Sequence, residues 1–228
     1  MTIQLYLVRH SETQMNRNSQ LQGITDMPLT PKGRQQAAKT AELLADVPFT
    51  AAYSSDRLRA VDTAKIILAK HPNITLHRRA GLREYYFGGL EGITNNQLIS
   101  ASLARYGVAT MTHAWTRGQR FAQLIRNFEK MDPTKQAETL PELRLRVQTS
   151  FAQIVAAQPA DAKVLVVAHG VFLSAMVDLL APEKLPVGLL KNASVTRLDV
   201  ADGAWQVRGV NLTTAADLAQ IDQQVATK

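Results

Sequence analysis

The chain has 228 residues, long enough to bury a sizeable core, and its 46% hydrophobic and 20% charged residues are typical of a folded protein. It has no cysteine, which excludes disulfides, thiolate catalysis and zinc–thiolate sites. Its formal net charge of +7 comes from scattered basic residues, which favours an anionic small substrate over a nucleic acid. Because no run resembles a signal peptide and no apolar stretch approaches the roughly 18 residues needed to span a bilayer, we expect a cytoplasmic protein that does not bind membranes.

The first part of the sequence alternates strand and helix patterns. Thr30 and Pro31 are typical of a helix N-cap followed by proline at the first helical position, and Ser54 or Ser55 could cap the next helix. The predicted elements are strands at residues 3–8, 49–53 and 74–77 and amphipathic helices at 32–46 and 58–68.

The second part begins with residues 93–140, which have little strand pattern, several helical segments and a charged hinge near 130–135. We expect them to form a helical insertion over one mouth of the sheet. The later elements are predicted as helices at 142–157 and 171–180 and strands at 164–168, 194–200 and 205–210, the last two joined by an Asp202-Gly203 turn. The polar tail from Thr213 is expected to fray.

This alternation predicts an α/β fold: a three-layer α/β/α sandwich with a mostly parallel sheet and the helical insertion, in one domain over residues 1–228. In such sheets the ligand lies beyond the carboxyl ends of the strands, at a topological switch point. A strand near the C-terminus would form a sheet edge, where a second copy could pair to give a homodimer.

Two apolar strands end in histidine, "LYLVRH" at His10 and "VLVVAHG" at His169. If the two strands lie in one parallel sheet, both histidines project at the same rim. Arg59 lies one turn into the helix after the second strand, where a helix N-terminus favours anions and a guanidinium can grip a phosphate. Glu84 follows the third strand among glycines and aromatic residues, a setting that could raise its pKa toward that of a proton donor; Glu91 is the weaker candidate for this role.

Five motifs then occur in order: "RHSET", "QGITDMPLTPKGRQQA", "SSDRLRAVDTA", "LREYYFGGLEG" and "VVAHG". Together they resemble the histidine phosphatase superfamily, specifically its phosphoglycerate-mutase-like branch. The resemblance covers roughly residues 3–92 and 140–211 and leaves the insertion unmatched. It departs at Ser11, where the family usually has glycine, and at "NLTTAADL", which only loosely follows the family's C-terminal pattern.

The resemblance implies that His10 is a nucleophile that forms a phosphohistidine, and that Glu84 is the general acid and then the base. The residues that would surround the phosphoryl oxygens are Arg9, Arg59 and His169. Those that would bind the substrate are Asn16, Gln22, Gly23 and Gly170. No cofactor or metal is implied, and His71, His77 and His113 match no motif and are interpreted as structural or surface residues. For His10 to attack as a neutral imidazole, its other ring nitrogen should donate to a backbone carbonyl.

Three functions stay open at this point. The favoured one is a metal-independent phosphatase that hydrolyses a small phosphomonoester. The second is a mutase that returns the phosphoryl group to another hydroxyl of the same substrate. Mutases of the family carry a basic and aromatic stretch after the "EG" motif, whereas residues 92–107 are here mostly polar and uncharged. The third is a non-catalytic binder of phosphorylated ligands.

Overall fold

The computed structural model describes residues 1–116 and 119–226, and the side chains of residues 1–105 and 119–224. Six strands form one sheet: β1 (Thr2–Arg9), β2 (Ala51–Ser55), β3 (Leu76–Arg79), β4 (Lys163–Ala168), β5 (Val195–Ala201) and β6 (Ala204–Leu212). The strand order is β3-β2-β4-β1-β5-β6, in which β1 to β4 run parallel and β5 alone runs in the opposite direction.

Helices cover both faces of this sheet. They are α1 (Gln14–Arg17), α2 (Pro31–Leu43), α3 (Leu58–Leu68), α4 (Asn95–Thr116), α5 (Arg120–Met131), α6 (Leu140–Ala156), α7 (Gly170–Leu180) and α8 (Ala215–Ala226). The core residues of α2, α3 and α8 pack on one face, and those of α5, α6 and α7 pack on the other. The predicted three-layer α/β/α fold with a mostly parallel sheet is therefore confirmed.

Strand β4 shows why the sequence forms a buried central strand. Its side chains alternate between the two faces: Val164 and Val166 enter one core, whereas Leu165 and Val167 enter the other. A strand buried on both faces has no polar side, which explains its continuous run of apolar residues.

The predicted elements are present, with bounds shifted by a few residues. The proposed cap of α3 is wrong. Ser54 and Ser55 are fully buried in β2, and the backbone N–H of Leu58 instead donates to the carboxylate of Asp26 at 2.9 Å. Arg57 takes the N-cap position without a side-chain hydrogen bond.

The prediction that the tail frays is also wrong, because residues 215–226 form α8. Ile221 is buried in the core on the α2 and α3 side, and partly buried Leu218 packs beside it. Two apolar residues one turn apart in a polar segment are enough to seat a short helix once a sheet face is available.

The insertion is helical, as predicted. Three apolar side chains of α5, Phe121, Ile125 and Phe128, are buried. The ring of Phe128 lies 5.5 Å from that of Tyr85 and 5.1 Å from that of Phe87, measured between centroids. The insertion thus rests on the segment that carries Glu84. Among the helices within residues 1–116 and 119–226, none is long and apolar enough to cross a bilayer.

Candidate active site

His10 directly follows the central strand β1. Its backbone N–H donates to the carbonyl of Ala168 at 2.9 Å, which places the ends of β1 and β4 side by side. The imidazole is almost completely buried, and its Nδ1 lies 2.8 Å from the carbonyl oxygen of Ser11. Since a carbonyl can only accept, Nδ1 carries the proton and Nε2 has the free lone pair. The predicted hydrogen bond to a backbone carbonyl is present.

The electrostatic surroundings keep this imidazole neutral. Burial lowers the pKa of His10 well below its usual 6.5, and the charges of Arg59 and Arg9 lower it further. At neutral pH the ring therefore presents an uncharged, nucleophilic Nε2.

His169 lies against His10, with ring centroids 5.2 Å apart. Its Nδ1 accepts a hydrogen bond from Nε of Arg59 at 3.2 Å, so the neutral ring is protonated on Nε2. Burial, with the charge of Arg59, lowers the pKa of His169 well below 6.5. Its Nε2 is buried and has no hydrogen-bond partner within the described chain, which leaves one free donor beside the candidate nucleophile.

Arg59 is fully buried on the first turn of α3. Its terminal nitrogens donate to the carbonyls of Thr25 at 2.9 Å, Gln22 at 3.2 Å and Gly23 at 2.9 Å. Burial lowers the pKa of Arg59 to about 10, so the guanidinium is still charged at neutral pH. The preceding loop thus holds this cation in place next to His169.

Glu91 fixes that loop from the other side. Its carboxylate accepts the backbone N–H groups of Gly23 and Thr25, each at 3.0 Å. Through these contacts Glu91 holds the loop in position. It does not itself line the cleft.

Glu84 lies at the N-terminus of α7. Its carboxylate accepts the backbone N–H groups of Val171 at 3.1 Å, Phe172 at 2.9 Å and Tyr85 at 2.8 Å. Two of these amides belong to the first turn of α7, where N–H groups have no partner inside the helix. This arrangement positions the carboxylate at the cleft that His10 also lines.

The guanidinium group of Arg9 packs against Gly170, the first residue of α7. A Cβ added to Gly170 would lie 3.1 Å from Cζ of Arg9, so only glycine allows this approach without displacing the guanidinium. One terminal nitrogen of Arg9 donates to the carbonyl of Leu190, and its buried Nε has no hydrogen-bond partner in the part of the chain that the structure describes. A second unused donor is thus available at the site, and this one belongs to a cation.

These groups surround a cleft of about 280 Å³. Six of the nine predicted site residues line it: Arg9, His10, Asn16, Gln22, Glu84 and Gly170. The other three do not line it: His169 packs against His10, Arg59 donates to the carbonyl of Gln22, and Gly23 directly follows Gln22 in the chain. All nine are therefore brought to the rim predicted from the two strand ends.

Sequence reasoning missed Asn192. Its Nδ2 donates to the carbonyl of His10 at 2.8 Å and to Oδ1 of Asn16 at 3.2 Å. The residue precedes β5, whose antiparallel pairing with β1 brings its start to the end of β1. A polar residue before a strand is a weak signal, since strand order is not visible in the sequence. The other cleft residues missed are Ser19, Gln20, Leu21, Asn95, Val171, Gly188 and Leu189, whereas Phe87 is one of the aromatic residues expected around Glu84.

The remaining histidines lie elsewhere. The ring of His71 packs on Phe49 with centroids 4.9 Å apart, and the ring of His77 lies 5.4 Å from that of Tyr53. The side chain of His113 lies outside the described residues.

A family model described as histidine phosphatase superfamily (branch 1) matches residues 5–213. The chain belongs to this superfamily. The resemblance inferred from the five motifs is thereby confirmed, and the protein is an enzyme of the histidine phosphatase and phosphoglycerate-mutase-like group.

Relatives of this histidine phosphatase superfamily member carry the names of both mutases and phosphatases. A probable phosphoglycerate mutase GpmB of Salmonella arizonae is 33% identical over 227 residues, which cover 96% of this chain and 95% of the relative. The crystal structure of a phosphoglycerate mutase from Bacillus anthracis superposes with a TM-score of 0.85 at 32% identity over 97% of each chain. A mycobacterial glucosyl-3-phosphoglycerate phosphatase superposes with a TM-score of 0.71 at 27% identity, over 93% of this chain and 100% of that one.

Proposed function

We propose that this enzyme is a phosphatase that hydrolyses a small phosphomonoester without a metal ion, through a phosphohistidine on Nε2 of His10. The proposal rests on the charge and the orientation of the His10 ring. Its ring is buried and neutral, its Nδ1 is held by the Ser11 carbonyl, and it lines a cleft together with a carboxylate. A neutral imidazole so oriented is suited to in-line attack on phosphorus.

In the first step the Nε2–P bond forms while the P–O ester bond breaks. The departing oxygen takes a proton from the carboxyl group of Glu84. Arg9, Arg59 and the free Nε2–H of His169 offset the negative charge spread over the phosphoryl oxygens.

In the second step water attacks the phosphohistidine. Glu84 accepts a proton from this water, the N–P bond breaks and inorganic phosphate leaves with His10 neutral again. The mostly polar lining of the cleft supports hydrolysis, because such a surface holds water beside the intermediate.

A second candidate is a mutase, in which another hydroxyl of the substrate takes the place of water. The observation in its favour is that relatives above 30% identity carry the name phosphoglycerate mutase. In that case the phosphohistidine would have to outlast exposure to water.

The test is intact mass spectrometry under a neutral or basic quench after brief exposure to p-nitrophenyl phosphate, with phosphate release followed in parallel. We expect a transient gain of one phosphoryl group and steady release, both lost in His10→Ala. Exposed His77→Ala is the matched control and should keep both. A long-lived adduct with little release would favour the mutase.

Two results would contradict both enzymatic functions. Equal phosphate release by the wild type and by His10→Ala would remove His10 as the nucleophile. No adduct and no release, in a protein that still retains phosphorylated ligands, would indicate a non-catalytic binder.

A further inference from the structure

The cleft beside His10 is lined by six uncharged side chains that can form hydrogen bonds. These are Asn16, Ser19, Gln20, Gln22, Asn95 and Asn192. Among the described residues that line the cleft, the charged ones are Arg9 and Glu84, both of which the proposed mechanism already uses. Apart from the groups that the proposed mechanism uses, the described lining of the cleft is therefore uncharged and mostly polar.

Several of these amides have unused hydrogen-bonding groups. Asn192 donates from its Nδ2 to His10 and Asn16, which leaves its Oδ1 free as an acceptor. Asn16 accepts with its Oδ1 from Asn192 and from the backbone N–H of Thr13 at 3.2 Å, which leaves its Nδ2 as a donor. The exposed side chain of Asn95 has no hydrogen bond to any other described residue. A hydroxyl group both donates and accepts, so it can use such groups in either sense.

A substrate that carries a carboxylate would bind more weakly in the same cleft. Arg9 would already face the phosphoryl group, and no other cationic side chain lines the cleft in the part of the chain that the structure describes. The carboxylate would lose water without gaining an ion pair. Unpaired charge of this kind is how binding sites reject a competing ligand.

We infer that the alcohol part of the substrate is neutral and carries hydroxyl groups, as in polyol or sugar phosphates, and that Asn95 helps to determine this selectivity. The inference rests on the proposed function and deepens it. It sets this site apart from one suited to a phosphoglycerate, whose alcohol part carries a carboxylate.

The first test compares glycerol 3-phosphate with 3-phosphoglycerate, which differ only by a hydroxymethyl group in place of a carboxylate. Both are measured as substrates and as inhibitors of p-nitrophenyl phosphate hydrolysis, at about 0.15 M salt so that the positive net charge does not steer the more anionic ligand. We expect kcat/KM, or the inverse inhibition constant, to favour glycerol 3-phosphate by about tenfold. Equal or reversed values would overturn the inference.

The second test adds a cation. Asn95→Lys should shift the ratio toward 3-phosphoglycerate by about threefold or more, because the ammonium can pair with the carboxylate. Asn96→Lys is the matched control, since Asn96 is also exposed on the first turn of α4 but does not line the cleft. It should leave the ratio unchanged. The same shift in both variants would reflect net charge alone and contradict a role for Asn95.

These outcomes are separable from those that test the proposed function. If p-nitrophenyl phosphate is hydrolysed in a His10-dependent manner while 3-phosphoglycerate is preferred, the phosphatase proposal stands and the neutral-cleft inference fails. If p-nitrophenyl phosphate hydrolysis does not depend on His10, the proposed function itself fails.

Discussion

At the scale of single residues, the site is a set of ionisable side chains whose charge state is determined by burial. His10 and His169 are held neutral, whereas fully buried Arg59 stays charged because its usual pKa is so high. Neutral imidazoles can serve as a nucleophile and as a hydrogen-bond donor, and two guanidinium groups supply positive charge. Ser11, where the family usually has glycine, orients His10 through its backbone carbonyl.

The two buried histidines should make the protein less stable in mild acid. Their pKa values are lowered in the folded state, so below the ordinary value of 6.5 the unfolded chain binds more protons and stability falls as the pH falls. Carboxylates with lowered pKa values, such as Asp132 and Glu12, act in a separate window, because they lose their contribution only as the pH falls through about 4.5 and below. We therefore expect the urea midpoint to fall between about pH 7.5 and about pH 5.

This loss should be shallower in a His10→Asn, His169→Asn double variant and unchanged in His77→Asn, whose side chain is exposed. An equally steep fall in the double variant would assign the acid sensitivity to other groups.

At the scale of elements, residues 22–25 act as a brace between two parts of the fold. Glu91 holds the backbone N–H groups of Gly23 and Thr25, and the carbonyls of the same stretch hold Arg59. Next to it, Asp26 accepts the first free N–H of α3. The brace therefore sets the position of Arg59 relative to His169, although Glu91 itself does not line the cleft.

Glu91→Gln should weaken this brace, because an amide offers one acceptor where the carboxylate offers two. We expect kcat/KM to fall by about tenfold to a hundredfold through misplacement of Arg59. The fall should be similar for p-nitrophenyl phosphate and for an alkyl phosphate. In Glu84→Gln the loss should instead be larger for the alkyl phosphate, whose poorer leaving group needs the proton more. A leaving-group dependence in Glu91→Gln would make Glu91 the proton donor.

At the scale of the whole molecule, the sheet gathers residues that are far apart in sequence. His10, Arg59, Glu84 and His169 follow or adjoin four different strands, and the parallel order of β1 to β4 brings them to one edge. Strand β6 lies at the lateral edge of the sheet opposite β3, and α8 packs against it. Pairing of β6 across a homodimer stays a prediction.

Helix α8 should contribute to global stability although the sequence of the C-terminal tail is mostly polar. Ile221→Ala removes a buried side chain that packs on the sheet, and we expect the free energy of unfolding to fall by about 2–4 kcal/mol. Gln220→Ala, at the neighbouring exposed position, should change it by less than about 0.5 kcal/mol. Urea denaturation measures both. Equal stability of the two variants would mean that α8 is not part of the cooperative unit.

The sequence by itself determined the kinds of element, the family and most of the residues that the fold brings to the candidate site. These follow from local patterns: apolar strands that end in histidine, a proline-capped helix and five ordered motifs. Only the tertiary structure decided the rest. Asn192 joins the site because β5 pairs with β1, α8 forms because a sheet face is available to Ile221, and Glu91 braces a loop and does not line the cleft. Each of these depends on a contact between distant residues, and such contacts form only when strand order and packing are settled across the whole chain.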